Sequence, residues 1–216
     1  MRAKYFDIST QMVPNSFTLV SRDEWKARES QELEHLKHPI PYVVIHHSLE
    51  PEACFNKEQC SAAMRWMQDL HMDKNHWADI GYNFAVGSDG LVYEGQGWNM
   101  EGTHAAYFNP VSLGICLIGD WTNTLPPAVQ IKTTQSLIDA GVESGYIAKD
   151  YRLVGHRQIR VTDCPGDALF EYIKTWDHYS SYPASAKDLL DIEELSPYLK
   201  ERLSIRLKSD KNWTQT

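Results

Sequence analysis

A chain of 216 residues, 42% hydrophobic and 23% charged, has enough apolar material for one sizeable core with length left for terminal extensions. Its formal net charge of −8, without any run of Lys or Arg, excludes a phosphate-tracking nucleic-acid surface and an electrostatically held anionic membrane. No segment approaches the roughly 20 apolar residues of a membrane span, so no membrane partner is expected.

Residues 1–18 are expected to form an N-terminal extension. Met1 to Phe17 lacks the apolar h-region of an intact signal peptide. Residues 41–46 are apolar and partly β-branched, which predicts a short buried strand ending at His46-His47. Asn56 with Gln59 three residues on is a variant capping box, opening a helix. That helix places Ala63, Trp66, Met67 and Leu70 at i, i+3, i+4 and i+7, one core-facing stripe. Residues 83–86 and 91–94 flank Gly87-Ser88-Asp89-Gly90, a hairpin signal. Residues 111–118 read as a central strand. Pro126-Pro127 bars helix just before Ile131, from which a helical pattern runs to about Tyr146. Residues 151–154 form a brief strand that delivers Gly155-His156, and Leu169, Tyr172, Ile173 and Trp176 make a third amphipathic stripe.

Strands interleaved with helices predict an α/β domain, a central mixed sheet covered by helices, spanning residues 19–178. Ligands in such folds gather beyond the carboxyl ends of strands, where His46 and His156 both stand. Beyond His178, Ser180-Ser181-Tyr182-Pro183 is a linker. Residues 186–207, charged, leucine-rich and interrupted by Pro197, predict one or two short helices in a C-terminal extension covering 179–216. Docking against the domain is its simplest use, a partner contact the alternative. A monomer is favoured.

The four cysteines divide unevenly. Cys54 and Cys60 lie six apart and could close a small loop, Cys116 sits in an apolar run as a buried thiol, and Cys164 precedes Pro165-Gly166 in a loop. A secreted domain with one disulfide and a cytosolic chain with free thiols fit this count equally. Cys164 follows His156 by eight residues across a polar loop, so a thiolate and an imidazole could share a metal, with a third ligand from elsewhere. Most of the seven Trp and eleven Tyr are expected in the core, the remainder in a groove that stacks on sugar rings.

Several motifs go further. Val43-Val44-Ile45-His46-His47-Ser48, Asp79-Ile80-Gly81-Tyr82-Asn83-Phe84, Gly155-His156-Arg157-Gln158 and Asp163-Cys164-Pro165-Gly166 resemble peptidoglycan recognition proteins. These share a fold with bacterial and phage N-acetylmuramoyl-L-alanine amidases. Ser21-Arg22-Asp23-Glu24-Trp25, Gly95-Gln96-Gly97-Trp98-Asn99 and Leu117-Ile118-Gly119-Asp120-Trp121 continue the match in the family's order, and the wording is most like catalytic, short-form insect members of the LB type.

The resemblance implies one Zn²⁺ held by His46, His156 and Cys164, with His47 a neighbour beside the groove. It implies a disulfide between Cys54 and Cys60, which favours a secreted protein, although an intracellular isoform stays open. Members with Ser in place of that Cys bind peptidoglycan without cutting it, so Cys164 marks an enzyme, and a non-catalytic receptor is the alternative. Tyr82 matches the family's catalytic Tyr. Thr162 falls where related phage enzymes carry Lys, offering a hydroxyl but no charge. The implied partner is peptidoglycan or its muropeptides, and the implied reaction is hydrolysis of the amide between muramic acid and L-alanine, scavenging fragments that trigger innate immunity. His47, His71, Trp77, Gln96, Trp98, His104 and Asn109 match positions that contact the stem peptide or sugar. Trp77 keeps the diaminopimelate pattern, whereas His76 replaces its Gly and Gln96 its Arg; Gln96 can hydrogen-bond the extra carboxylate but not pair with it.

Overall fold

A computed structural model of the chain describes residues 17–31 and 34–209, so the expected N-terminal extension lies almost wholly outside the described residues. Everything else is arranged around β2, Ile40–His47, an eight-residue run with no exposed position. It pairs in parallel with β5, Ser112–Leu117, on one side and with β6, Ile147–Gly155, on the other. A strand flanked and covered on both faces must be apolar throughout, which is why β2 and β5 do not alternate with polar residues. The hairpin β3, Phe84–Val86, and β4, Val92–Glu94, is antiparallel, and β1, Leu19–Val20, adds at the far edge. The result is a six-stranded mixed sheet of order β1-β4-β3-β5-β2-β6.

Helices cover both faces. A short helix α1, Arg22–Trp25, precedes β2. Helix α2, Lys57–Asp69, starts where expected: Asn56 Oδ1 accepts from the Gln59 amide at 2.9 Å, and Gln59 Oε1 accepts from the Phe55 amide at 3.0 Å. Its buried stripe is Cys60, Ala63, Met64 and Met67, which keeps Ala63 and Met67 of the expected stripe but not Trp66 and Leu70, exposed at 42% and 37%. Both sets fit the i, i+3, i+4, i+7 spacing. The Cys54–Cys60 disulfide, formed as the resemblance implied, joins Cys60 to the loop before the helix and so favours the inward stripe that contains it. Helix α3, Ala128–Glu143, begins three residues before Ile131, since a proline lacks only an amide that no helical first turn uses.

Helices α3 and α4, Asp167–Ile173, sit over the face bearing Val43 and Ile45, in a cluster with Leu137, Ile138, Leu169 and Ile173. On the opposite face, Tyr42 and Val44 lie under the C-terminal segment. There a 3-10 turn, Ala186–Asp191, and helix α5, Pro197–Ser209, contribute Leu189, Ile192, Leu195, Leu203 and Leu207. Pro197 opens α5 instead of interrupting it. Among the described residues no helix is long and apolar enough to cross a membrane.

Candidate metal centre and substrate cavity

Side chains alternate along a strand, so His46 shares a face with Tyr42 and Val44 while His47 shares the other with Val43 and Ile45. Because β2 and β6 are parallel, their carboxyl ends coincide. The pair Ile45 and Gly155 is the last of that ladder, and His156 follows at once in a 3-10 turn, His156–Gln158. The rings of His46 and His156 come to 4.4 Å between centroids. Cys164 arrives from the loop beyond: its Sγ lies 3.7 Å from His46 Nδ1 and accepts from the His47 backbone amide at 3.4 Å. Arg157 straps this loop down, donating to the Asp167 carboxylate at 2.6 Å and to the Asp163 carbonyl.

One ligand atom from each of His46, His156 and Cys164 falls within 4.8 Å of the other two. His156 Nε2 is buried without a partner. Burial holds both imidazoles neutral, His156 pushed down to about 3 and His46 well below its ordinary range, so their lone pairs are available. Burial pushes the Cys164 thiol up to about 12, against the opposing pull of the His47 amide and the Arg157 charge. A divalent ion reverses that balance, since a coordinating thiol gives up its proton. Two neutral nitrogens and one sulfur fit tetrahedral zinc with one corner left over.

His156 and Cys164 stand in the wall of a cavity of about 640 Å³, also lined by His47, Tyr82 and Thr162, with the buried His46 beside them. The ring of Tyr82 lies 5.3 Å from that of His46. Burial first, then the neighbouring thiols of Cys116 and Cys164, raises its phenol well above the usual range, so it remains a proton donor at neutral pH. Thr162 Oγ1 accepts from the Cys164 amide at 3.2 Å, fixing the turn that carries the sulfur. His47 Nδ1 accepts from the Trp121 amide at 3.3 Å and stays outside the candidate ligand cluster, in the lining of the cavity.

The other six expected substrate contacts do not line this cavity, and several are otherwise engaged. His71 is buried, its Nδ1 accepting from the Gly81 amide at 3.0 Å, with the half-buried Trp77 against its ring at 4.7 Å. Gln96 is buried and donates to the Ile80 carbonyl at 2.8 Å. Trp98, partly buried, packs on Phe84 and stacks on Tyr146 at 5.0 Å, against the edge of the core. Asn109 Oδ1 accepts from the Ala105 amide at 2.6 Å, closing a turn. His104 is buried directly behind His46, its Nδ1 3.1 Å from His46 Nε2. Sequence reasoning passed over Ser48, Leu49, Thr122, Asp163 and Asp167, which complete the lining. Their signal was adjacency to the metal motifs. Leu49 is the least guessable, a branched residue at φ +60°, held by its amide on the Gly119 carbonyl at 3.0 Å.

The N-acetylmuramoyl-L-alanine amidase family pattern matches residues 36–167, more than half the chain and inclusive of all three candidate ligands. Peptidoglycan-recognition protein LB of Drosophila melanogaster is 47% identical over 162 residues, covering 75% of this chain and 70% of the relative. This chain belongs to the peptidoglycan recognition protein family. A second family member, peptidoglycan-recognition protein 2 of Holotrichia diomphalia, is 40% identical over 166 residues, covering 77% and 88%. The solved wild-type Drosophila PGRP-LB superposes with a TM-score of 0.76 at 46% identity, over 77% of this chain and 98% of that one. A mutant of the same protein solved in complex with tracheal cytotoxin superposes with 0.74 at 46% identity, over 75% and 96%. For peptidoglycan recognition proteins, therefore, the mixed sheet and its covering helices are the family fold.

Proposed function

We propose that this chain is a zinc-dependent N-acetylmuramoyl-L-alanine amidase that hydrolyses the amide between the lactyl group of muramic acid and L-alanine in peptidoglycan. The observation that carries the reading is the convergence of a buried His46 with His156 and Cys164, the last two in the wall of a cavity that Tyr82 and Thr162 also line. A receptor has no need of two neutral imidazoles and a thiol at one point of its groove. The relative solved with tracheal cytotoxin supports a muropeptide as the ligand.

His46, His156 and Cys164 would hold the ion, which when bound supplies Lewis acidity toward the scissile carbonyl and lowers the pKa of attacking water. Tyr82, kept protonated by burial, donates its O–H to the oxygen on which negative charge develops. The Thr162 hydroxyl accepts from the Cys164 amide through its oxygen and is free by its chemistry to donate its own proton to the same substrate oxygen. The Cys54–Cys60 disulfide supports an extracellular place of work, where such fragments would be destroyed before they trigger an immune response.

Digestion of a defined muropeptide, with and without chelator, tests the reading by mass spectrometry. Lactyl-bearing sugar and intact stem peptide are expected from the zinc-loaded protein only. Tight muropeptide binding without products would identify a receptor.

A further inference from the structure

His104 is a buried imidazole that the reaction outlined above does not use. The chain makes room for it at two places. A Cβ built on Gly114 of β5 would stand 2.4 Å from the His104 ring, and one on Gly102 would stand 2.7 Å from its Cδ2. Real Cβ atoms do not approach that closely, so two bare backbone positions are what let this ring lie flush behind His46. The two rings meet edge to face, 5.0 Å between centroids and 80° apart, with His46 Nε2 and His104 Nδ1 at 3.1 Å.

Two neutral imidazoles sharing one hydrogen bond leave two arrangements. In one, His104 Nδ1–H donates to His46 Nε2; His46 then carries its proton on Nδ1, which points at Cys164 Sγ 3.7 Å away, and it has no lone pair to give there. In the other, His46 Nε2–H donates to His104 Nδ1. His46 Nδ1 is then a bare lone pair facing the sulfur, and His104 carries its own proton on Nε2. That nitrogen is buried, lies beside the Ser112 backbone and completes no hydrogen bond of normal geometry. Only the second arrangement lets His46 ligate an ion shared with Cys164.

We propose that His104 is a positioning residue for the metal centre, its Nδ1 accepting the Nε2–H of His46 and so holding the His46 Nδ1 lone pair toward the ion. The inference rests on the metal-site reading above. Ligating histidines are commonly oriented by a carboxylate or carbonyl acceptor on the second nitrogen; here a neutral imidazole takes that place.

Two measurements on the full chain test it. Long-range ¹H–¹⁵N NMR of the metal-free protein reads the His46 tautomer, for which Nε2–H is expected; Nδ1–H would overturn the proposal. Chelator competition then compares zinc affinity in wild type, His104→Phe and His104→Asn. The Phe ring fills the slot without an acceptor and is expected to weaken zinc binding about 10- to 100-fold. The Asn variant, whose Oδ1 can accept, is expected to recover most of that loss, which a merely space-filling role would not produce. Equal affinity in all three overturns the proposal. If His104→Phe does not fold, the wild-type tautomer decides. Zinc binding without muropeptide cleavage would sink the amidase reading alone, whereas failure of the wild type to bind zinc would sink both.

Discussion

The sheet face that carries His46 ends differently at its two extremities. Toward the carboxyl end of β2, the same row of side chains that begins with Tyr42 and Val44 runs out into His46, beside a cavity lined by His156, Cys164, Tyr82 and Thr162. Toward the amino end, Tyr42 and Val44 are sealed by leucines and Ile192 of the C-terminal segment, which lies beyond the residues the family pattern matches. The apolar end is specified by area and volume, so many side-chain combinations could fill it. The polar end is specified by single atoms: a sulfur, several imidazole nitrogens, two hydroxyls. Geometry at the polar end is therefore expected to fail by chemistry, and geometry at the apolar end by stability.

The sharpest way to separate the two is Cys164→Ser. It should retain the fold, lose zinc as measured by metal analysis, and lose muropeptide cleavage by on the order of a thousandfold or more. Full turnover in that variant would collapse the distinction, because the cavity would then be working without its sulfur. The opposite behaviour is expected of Leu203→Ala, which removes a fully buried side chain of α5. Urea unfolding should show a loss of about 2–5 kcal/mol, with zinc content and cleavage unchanged well below the transition. A fall in zinc affinity equal to that of Cys164→Ser would mean the two ends are coupled.

A pH effect of intermediate size comes from His71, which lines neither the cavity nor the apolar end. Burial pushes His71 down to about 4 from an ordinary value near 6.5. Between those two values the unfolded chain binds the proton and the folded chain does not. The stability contributed by neutral His71 is thus complete above pH 6.5 and is lost as pH falls toward 4. On the order of 3 kcal/mol is involved, taking 1.36 kcal/mol per pH unit. Urea midpoints at pH 4.5 and 7.5 should differ less in His71→Gln than in wild type; an unchanged difference would remove His71 as the cause.

The smallest expected effect is at Gln96. Arg is too long for the slot in which Gln96 reaches the Ile80 carbonyl, so Gln96→Arg should cost about 1 kcal/mol of stability. Its guanidinium, displaced outward, should shift digestion toward diaminopimelate-type over lysine-type peptidoglycan by less than tenfold. No shift in preference would show that position 96 does not reach the substrate.

Features that depend on local chemistry are legible in the sequence. The apolar run of β2, the Gly87-Ser88-Asp89-Gly90 hairpin and the Asn56 cap each carry their instruction within a few residues. The orientation of α2 is not legible in the same way. Two stripes fit its periodicity, and the choice between them depends on what lies beneath the helix. The surroundings of Trp98, His104 and Asn109 are not legible either: they match family positions by order along the chain, but matching order says nothing about which way a side chain turns.

By itself, then, the order of residues determined which chemical groups exist and which strand ends carry them, because motif spacing and strand alternation act over short range. Tertiary packing alone decided that Gln96 faces inward, that His104 stands behind His46, and that a leucine-rich tail seals the far end of the same face. Those outcomes depend on volumes left between distant segments, such as the space left by Gly102 and Gly114, and no local stretch of sequence encodes a volume that only the assembled sheet encloses.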